Sequence, residues 1–190
     1  MKLSAIKSVG IALVLLLSCN LSAQQRTVQE VEEFEEILWP LKAIRSTSGL
    51  IKIKAINENG RQFDVHAIQN SEQTSLLDVK AFVRGKRLPI KMLVSNDKFH
   101  PVKAIGENGK IYDIKAVTDD GLILPVKGVS QSGNIVHIRA IFEDMIFYNI
   151  IAISPEGNTN AVKGMKMSSN TVETTINGIP IFAHIKSIPQ

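Results

Sequence analysis

Four histidines and one cysteine are the side chains of this sequence best suited to metal binding or nucleophilic chemistry. His66, His100, His137 and His184 lie far apart, and their spacing does not match that of metal ligands on one element. No Ser, Thr or Cys stands in a nucleophile motif, and no glycine-rich loop leads into a predicted helix. We therefore predict a protein that is not an enzyme and that holds no metal and no cofactor.

Cations recur with a regularity that could serve binding. Lys103, Lys115, Lys127 and Arg139 each follow a branched aliphatic residue, at regular intervals along the chain. On one face of a sheet, these cations would form a candidate surface for an anionic polymer, lipid headgroups or an acidic protein. The alternative is a row that is solvated, or that is neutralised by aspartates and by an acidic segment of the same chain. Both interpretations stay open on the sequence alone.

The row belongs to a repeated phrase of about twelve residues, which is clearest from Pro101 to Ser130. Its first position is variable and often Pro or Asp, the second is a branched aliphatic residue, the third is usually Lys, the fourth is Ala or Gly, and the fifth is aliphatic. A polar turn that closes on Gly follows. Units begin at Pro40, Lys52, Asp64, Asp78, Pro89, Pro101, Asp113, Pro125, His137, Asn149, Ala161 and His184.

Each unit is too short for a helix pair, and its β-branched residues alternate as they do in strands. Gly60, Gly109, Gly121, Gly133 and Gly157 close polar turns at places where a positive φ is expected. The sequence thus predicts an all-β fold, an antiparallel up-and-down meander of about 12 short strands. Such a sheet must be curled or closed into a barrel-like form to bury its apolar face. A hairpin at residues 177–178 is expected before the last unit.

The repeat also predicts which residues are neighbours in the sheet. Second-position aliphatic residues and small fourth-position residues should share a buried face, on which large residues lie against small ones. Third-position lysines should lie on the other face, opposite first-position residues. A first-position proline cannot donate to a ladder, so we expect a bulge or kink there. The expected pairs are Ala104 with Tyr112, Ala116 with Leu124, Gly128 with Val136, Lys54 with Asp64 and Lys103 with Asp113.

Residues 1–23 have the layout of a secretory signal peptide, with Lys2 and Lys7 before an apolar run. Cleavage after the small residues at 22–23 would leave Gln24 first. The residues that lead to Cys19 also resemble a bacterial lipobox, in which case Cys19 would carry a lipid and would be the only link to the membrane. By either route we expect export to the periplasm, the cell surface or the medium.

Residues 24–39 are predicted to form an acidic amphipathic helix that caps the repeat domain of residues 40–190. Thr27 and Glu30 make a capping-box pattern, apolar residues follow at helical spacing, and Pro40 ends the segment. The 22 basic and 18 acidic residues are nearly balanced once the signal lysines are removed, which does not favour binding to nucleic acid. Cys19 is the only cysteine, so no disulfide is expected.

The signal, the acidic helix and the repeated Val-Lys-Ala-Ile phrases together resemble the small secreted bacterial repeat proteins that are classed as domains of unknown function. The resemblance implies export and a β-rich repeat fold, and it brings no activity and no functional residues. The favoured hypothesis is a non-enzymatic structural or binding module of the bacterial envelope. One alternative is a β-barrel that encloses a small apolar ligand, and another is an outer-membrane β-barrel, for which the aromatic residues, at 5%, are few.

Overall fold

The computed structural model describes residues 34–45 and 49–189, which form thirteen antiparallel strands. The strands are β1 (Ile37–Arg45), β2 (Gly49–Ile56), β3 (Gln62–Gln69), β4 (Leu77–Val83), β5 (Lys86–Leu93), β6 (His100–Ile105), β7 (Ile111–Val117), β8 (Ile123–Ser132), β9 (Ile135–Phe142), β10 (Ile146–Ile153), β11 (Thr159–Met165), β12 (Thr174–Ile176) and β13 (Ile179–Pro189). From β1 to β11, each strand pairs with the next one along the chain, so the predicted antiparallel meander is confirmed.

Each predicted repeat unit lies in one strand, and β12 is the additional arm of the hairpin expected at residues 177–178. The five turn glycines have φ angles between 55° and 90°, as their positions require. In four of these turns the Gly amide donates to the carbonyl three residues earlier, for example from Gly60 to Asn57 at 3.0 Å. The turn chemistry therefore sets the length of each unit.

The predicted helix is wrong at its C-terminal end, because residues 37–39 already belong to β1. Trp39 lies opposite Ala67 of β3, is 2% exposed, and donates from Nε1 to Gln69 Oε1 at 2.9 Å. Burial alternates along β1 through Trp39, Leu41 and Ala43. Burial of every second residue is typical of a strand with one face on the core. The rest of the predicted helix, residues 24–33, lies outside the described residues.

The twelve strands that carry a repeat unit associate in threes, and we call each group a junction. The first junction contains β1, β2 and β3, the second β4, β5 and β13, the third β6, β7 and β8, and the fourth β9, β10 and β11. Within a junction each strand pairs with both others, and the third-position residue of one strand lies opposite the first-position residue of another. The pairs in the third junction are Lys103 with Asp113, Lys115 with Pro125 and Lys127 with Pro101.

Six strand pairs link the junctions, one for each combination of two junctions: β1–β10, β2–β7, β3–β4, β5–β6, β8–β9 and β11–β13. In each pair, the second-position residue of one strand lies opposite the fourth-position residue of the other, and the reverse also holds. In β2–β7, for example, Ile53 lies opposite Ala116 and Ile114 lies opposite Ala55. The described strands therefore connect as the four corners and six edges of a tetrahedron do.

The expected contacts between large and small residues are mostly confirmed. Ala104 lies opposite Tyr112, and Ala116 lies opposite Leu124. The partner of Gly128 is Ile138 instead of Val136, because β8–β9 is one of the pairs that link junctions, in which a fourth-position residue lies opposite a second-position residue. The register shifts by one residue after Gly128, and this moves the pairs that follow.

The interior that the paired strands enclose is filled by second-position side chains. Eleven of them surround a central cavity of only about 10 Å³: Leu41, Ile53, Val79, Ile90, Val102, Ile114, Val126, Ile138, Ile150, Val162 and Ile185. This space is at the lower limit of what a single water molecule needs. The fold is therefore organised around one packed apolar centre to which nearly every strand contributes one residue.

Prolines lie where a strand changes partner. In β6, residues 100–101 pair with β8 and residues 103–105 pair with β7, so the ladder along this edge is interrupted just after Pro101. In β8, the partner likewise changes from β7 to β6 between Pro125 and Lys127. A change of partner stands where the sequence predicts a bulge or kink, and it removes the need for a continuous ladder through a residue without an N–H.

The two end strands close the structure. β1 pairs with β2, β3 and β10, and β13 pairs with β4, β5, β11 and β12. Each unit-bearing strand thus has at least three partners, whereas a strand of an up-and-down barrel has two. The hydrogen bonds form closed rings, and the end units take part in the same core as the others.

Candidate functional site

The outer face of the described strands is lined by third-position cations. Those that form ion pairs with first-position aspartates are half-buried, with side-chain exposures between 23% and 29%. Aliphatic stems against neighbouring strands with charged ends toward solvent are typical of such lysines. The third-position cations are Lys42, Lys54, Lys80, Lys91, Lys103, Lys115, Lys127, Arg139, Lys163 and Lys186.

Three of the four junctions contain an aspartate at a first position. In the third junction, Asp113 accepts a hydrogen bond from Lys103 and lies 3.4 Å from the Lys115 ammonium. Burial works against the ionised carboxylate, but the Lys103 hydrogen bond and the two ammonium charges outweigh it, so the pKa of Asp113 is lowered. One aspartate thus neutralises part of the charge of two lysines.

The first and second junctions also contain a first-position aspartate that forms ion pairs with third-position lysines. Lys54 Nζ lies 2.5 Å from Asp64 Oδ1, and this hydrogen bond is the main reason that the pKa of Asp64 is lowered. Lys186 donates to Asp78, and Lys80 lies 3.7 Å from the same carboxylate. Burial opposes ionisation of Asp78, yet its pKa is still lowered because Lys186 donates to it and Lys80 adds a second positive charge. The predicted pair of Lys54 with Asp64 is confirmed, as is that of Lys103 with Asp113.

The fourth junction has two third-position cations, Arg139 and Lys163, with Ile151 at the remaining third position, and it lacks the aspartate. Its first positions are His137, Asn149 and Ala161. Lys163 Nζ lies 3.3 Å from His137 Nδ1, and Arg139 Nη1 donates to the Ile138 carbonyl at 3.0 Å. Within residues 34–45 and 49–189, no carboxylate forms an ion pair with Arg139 or Lys163.

Burial and neighbouring positive charges lower the pKa values of the fourth junction. Desolvation lowers the pKa of Arg139, and desolvation together with the Arg139 charge lowers that of Lys163. The pKa of His137 is lowered by desolvation and by both neighbouring cations. The imidazole is therefore held neutral, and its Nδ1 accepts from the Lys163 ammonium.

Cations also lie opposite one another across the pairs that link the junctions. The like-charged pairs are Lys54 with Lys115, Lys91 with Lys103, Lys127 with Arg139, and Lys163 with Lys186. Like charges in direct cross-strand positions are destabilising. The third-position cations thus form a connected network on the outer face. The single row expected from the sequence, which contains Lys103, Lys115, Lys127 and Arg139, is one part of this network.

A family model matches residues 35–188, which run from just before β1 to almost the end of β13. The chain belongs to this family, a family of unknown function (DUF7486). The predicted resemblance to a domain of unknown function is confirmed by this match. No match was found among the curated proteins or among the solved structures. Membership assigns the whole set of junctions to the family domain, and it names no activity.

The four residues singled out in the sequence occupy two adjacent junctions. Lys103, Lys115 and Lys127 belong to the third junction, and Arg139 of the fourth junction lies opposite Lys127. Lys103 and Lys115 share Asp113, whereas neither Lys127 nor Arg139 has an ion pair with any carboxylate in the described part of the chain. Cys19 lies outside the described residues.

Sequence reasoning missed the role of Lys163, His137 and Asn149 at the fourth junction. The signal was present in the first-position residue, which is Asp in one unit of each of the other junctions. It became informative only once the strands were known to group in threes. Among the described residues, no three His, Cys, Asp or Glu side chains converge as a metal site would require, and no helix is long and apolar enough to cross a membrane.

Proposed function

We propose that this chain is an exported, non-enzymatic binding module of the bacterial envelope, whose outer network of cations holds an anionic partner. The observation that carries the proposal is the imbalance of charge on the outer face. Ten third-position cations stand among the twelve units, and only three first positions hold an aspartate. Export is inferred from residues 1–23, and the mass of the mature N-terminus distinguishes a chain that begins at Gln24 from one with a lipid on Cys19.

The placement of the acidic residues supports the proposal. Several carboxylates lie on the hairpin turns, and two of them pair with lysines that are not at third positions. Lys86 lies 2.6 Å from Glu107, and Lys52 lies 2.9 Å from Asp119. This segregation leaves the junction faces positive, and a surface of one sign attracts a partner of the other sign.

The packed core gives no support to the alternative of a barrel that encloses an apolar ligand. Ligand sites in proteins have volumes of roughly 300–1,000 Å³, and the central cavity measures about 10 Å³. The larger cavities are open to solvent, such as one of about 290 Å³ beside Arg84, Lys86 and Tyr112. We therefore place binding on the outer face.

The proposal is tested by removing the two cations that lack a carboxylate. A Lys127→Gln/Arg139→Gln variant leaves no carboxylate of the described residues without a partner, so its fold should be retained. Retention on poly-glutamate beads is measured over a series of salt concentrations, and partner recovery from envelope extract is measured in parallel. We expect the variant to elute at lower salt and to recover less partner, because exposed charges act through screened attraction.

The matched control is a Lys98→Gln/Lys110→Gln variant. Both of these lysines are exposed and lie outside the junctions. Their substitution changes the net charge by the same amount as the test variant does. The control should behave as the wild type does. Equal retention and equal recovery for all three proteins would contradict the proposal.

A further inference from the structure

The four junctions offer an internal comparison, since each is built from three strands with the same cyclic register. In the third junction, Lys103 of the first strand lies opposite Asp113 of the second. In the fourth junction, the equivalent pair is Arg139 opposite Asn149. Asn149 therefore occupies the position at which the third junction places its carboxylate.

The exchange of Asp for Asn is accompanied by the exchange of one third-position cation for Ile151, but two cations remain. Arg139 and Lys163 remain at third positions, and the neighbouring strands place Lys127 opposite Arg139 and Lys186 opposite Lys163. The fourth junction thus holds two third-position cations, Arg139 and Lys163, and no internal counterion. A half-buried cation without a counterion is costly, and an anion bound from outside would lower that cost.

The chemistry of the site suits an oxyanion. Arg139 is the only arginine among the third-position cations, and a guanidinium presents several N–H donors in a fork that matches carboxylate and phosphate oxygens. Only one hydrogen bond of this guanidinium, to the Ile138 carbonyl, is made within the described residues. Asn149 is exposed, so the position of the missing carboxylate is open to solvent.

We propose that the fourth junction binds one oxyanion group, a carboxylate or a phosphate, at the Asn149 position opposite Arg139, which corresponds to the place of Asp113 in the third junction, with Lys163 as the second cation of the same junction. The proposal rests on the proposed function, because it identifies where on the cation network the anionic partner is held. Each residue has a separate role in binding the anion. Arg139 supplies directed N–H donors, Lys163 adds a positive charge, and Asn149 supplies a neutral amide that does not repel the anion.

The test uses the mature chain and titrations with inorganic phosphate and with acetate, each at constant ionic strength set by chloride. Backbone amide shifts of residues 137–149 and 163 are followed by NMR. We expect saturable shifts in the wild type. In an Asn149→Asp variant, which restores the internal counterion, we expect phosphate to bind at least tenfold more weakly. The anion with the lower Kd identifies the chemical group that the site prefers.

An Asn59→Asp variant is the matched control, because it makes the same change of charge on the exposed turn between β2 and β3. It should bind as the wild type does. Thermal unfolding gives a second measurement: phosphate should raise the Tm of the wild type by ligand linkage, whereas Asn149→Asp should have a higher Tm in chloride and no further rise with phosphate. Equal Kd values for wild type and Asn149→Asp, or shifts of equal size at the third junction, would overturn the proposal.

These outcomes separate the two proposals. If phosphate or acetate binds at the fourth junction while the Lys127→Gln/Arg139→Gln variant keeps full retention on poly-glutamate, the site stands and the polymer-binding function fails. If retention falls but neither anion binds at the fourth junction, the function stands and the partner is held elsewhere on the network.

Discussion

Two contacts between lysine and histidine show how single residues respond to the crowding of cations. Lys91 Nζ lies 2.6 Å from His184 Nδ1, and Lys163 makes the corresponding contact with His137. Desolvation, followed by the charge of the neighbouring lysine, lowers the pKa of both imidazoles. Each histidine therefore serves as a neutral acceptor for an ammonium that has no carboxylate beside it in the described chain.

These histidines predict how stability depends on pH. Below its unfolded pKa of about 6.5, each histidine binds a proton more readily in the unfolded chain than in the folded one, so the free energy of unfolding falls as the pH falls through this range. The pKa of His66 is lowered too, mainly by desolvation, so it acts in the same direction. We expect the urea midpoint to be lower at pH 5.5 than at pH 7.5.

A His184→Gln variant tests this at one site, since the amide oxygen of Gln can accept from Lys91 and does not titrate. Lys186, Asp78 and Glu173 are the other charged groups that act on His184. The variant should lose less stability than the wild type between the two pH values. Identical pH dependence in both proteins would show that His184 does not contribute.

At the scale of the elements, the six strand pairs between junctions depend on small fourth-position residues, and β5 breaks this rule. Met92 stands where the other strands have Ala, Gly or Ser, and it is fully buried. Gly128 and Gly164 compensate for its size: a Cβ atom at Gly128 would lie 2.5 Å from the Met92 Cε, and one at Gly164 would lie 3.0 Å from it. These two glycines serve packing, in contrast to the turn glycines, which serve backbone conformation.

This compensation predicts a double-mutant result. Gly128→Ala should destabilise the protein by about 1–3 kcal/mol through overpacking, and Met92→Ala by about 2–5 kcal/mol through the cavity that it leaves. In the double variant the new methyl group enters space that Met92 has vacated, so the combined loss should be smaller than the sum by roughly 0.5–3 kcal/mol. Urea denaturation of the four proteins measures this. Strict additivity would contradict the assigned contact.

At the scale of the whole molecule, closure makes the end strands part of the core. In linear repeat proteins, stability is shared between neighbouring repeats, and end repeats can be removed at limited cost. Here β13 completes the second junction with β4 and β5 and also pairs with β11. Its Ile181, Ala183 and Ile185 are buried in the same core as β1.

We therefore predict that removal of residues 168–190 abolishes the cooperative unfolding of the domain formed by β1 to β13. The truncation should cost more free energy than the total free energy of unfolding of a domain, which is typically about 5–15 kcal/mol. Near-UV circular dichroism, which reports the packing of Trp39 and the tyrosines, should lose its signal. Removal of residues 189–190 alone is the control and should have little effect. A truncated chain that still unfolds in one sharp transition would contradict a closed fold.

Much of the local structure could be predicted because each position of the repeat has a local physical cause. Glycine at the turns, aliphatic residues at second positions and alanine at fourth positions predicted the strands, their turns and the pair of Ala104 with Tyr112. The strand at residues 37–39 could not be predicted in this way, because its apolar spacing also fits a helix. Burial of Trp39 against β3 decides between the two, and β3 is distant in the sequence.

The candidate site was predicted only in part for the same reason. Lys103, Lys115 and Lys127 recur in the sequence, so their grouping on one face followed from the repeat. The lack of a carboxylate beside Arg139 depends on which first-position residue lies opposite it. That residue, Asn149, follows from the same rule as the pair of Lys103 with Asp113, whereas the placement of Lys163 and His137 beside them is evident only when β9, β10 and β11 are seen to form one junction.

The sequence by itself determined the strands, the turns, the buried and exposed faces and the identity of the outer cations, because each follows from the conformational preference and hydrophobicity of neighbouring residues. The tertiary structure alone decided that the strands associate in threes, that eleven aliphatic side chains meet at one filled centre, and that one junction lacks an aspartate. These features depend on pairings between distant strands, and a repeat of nearly identical units carries little information about which units pair.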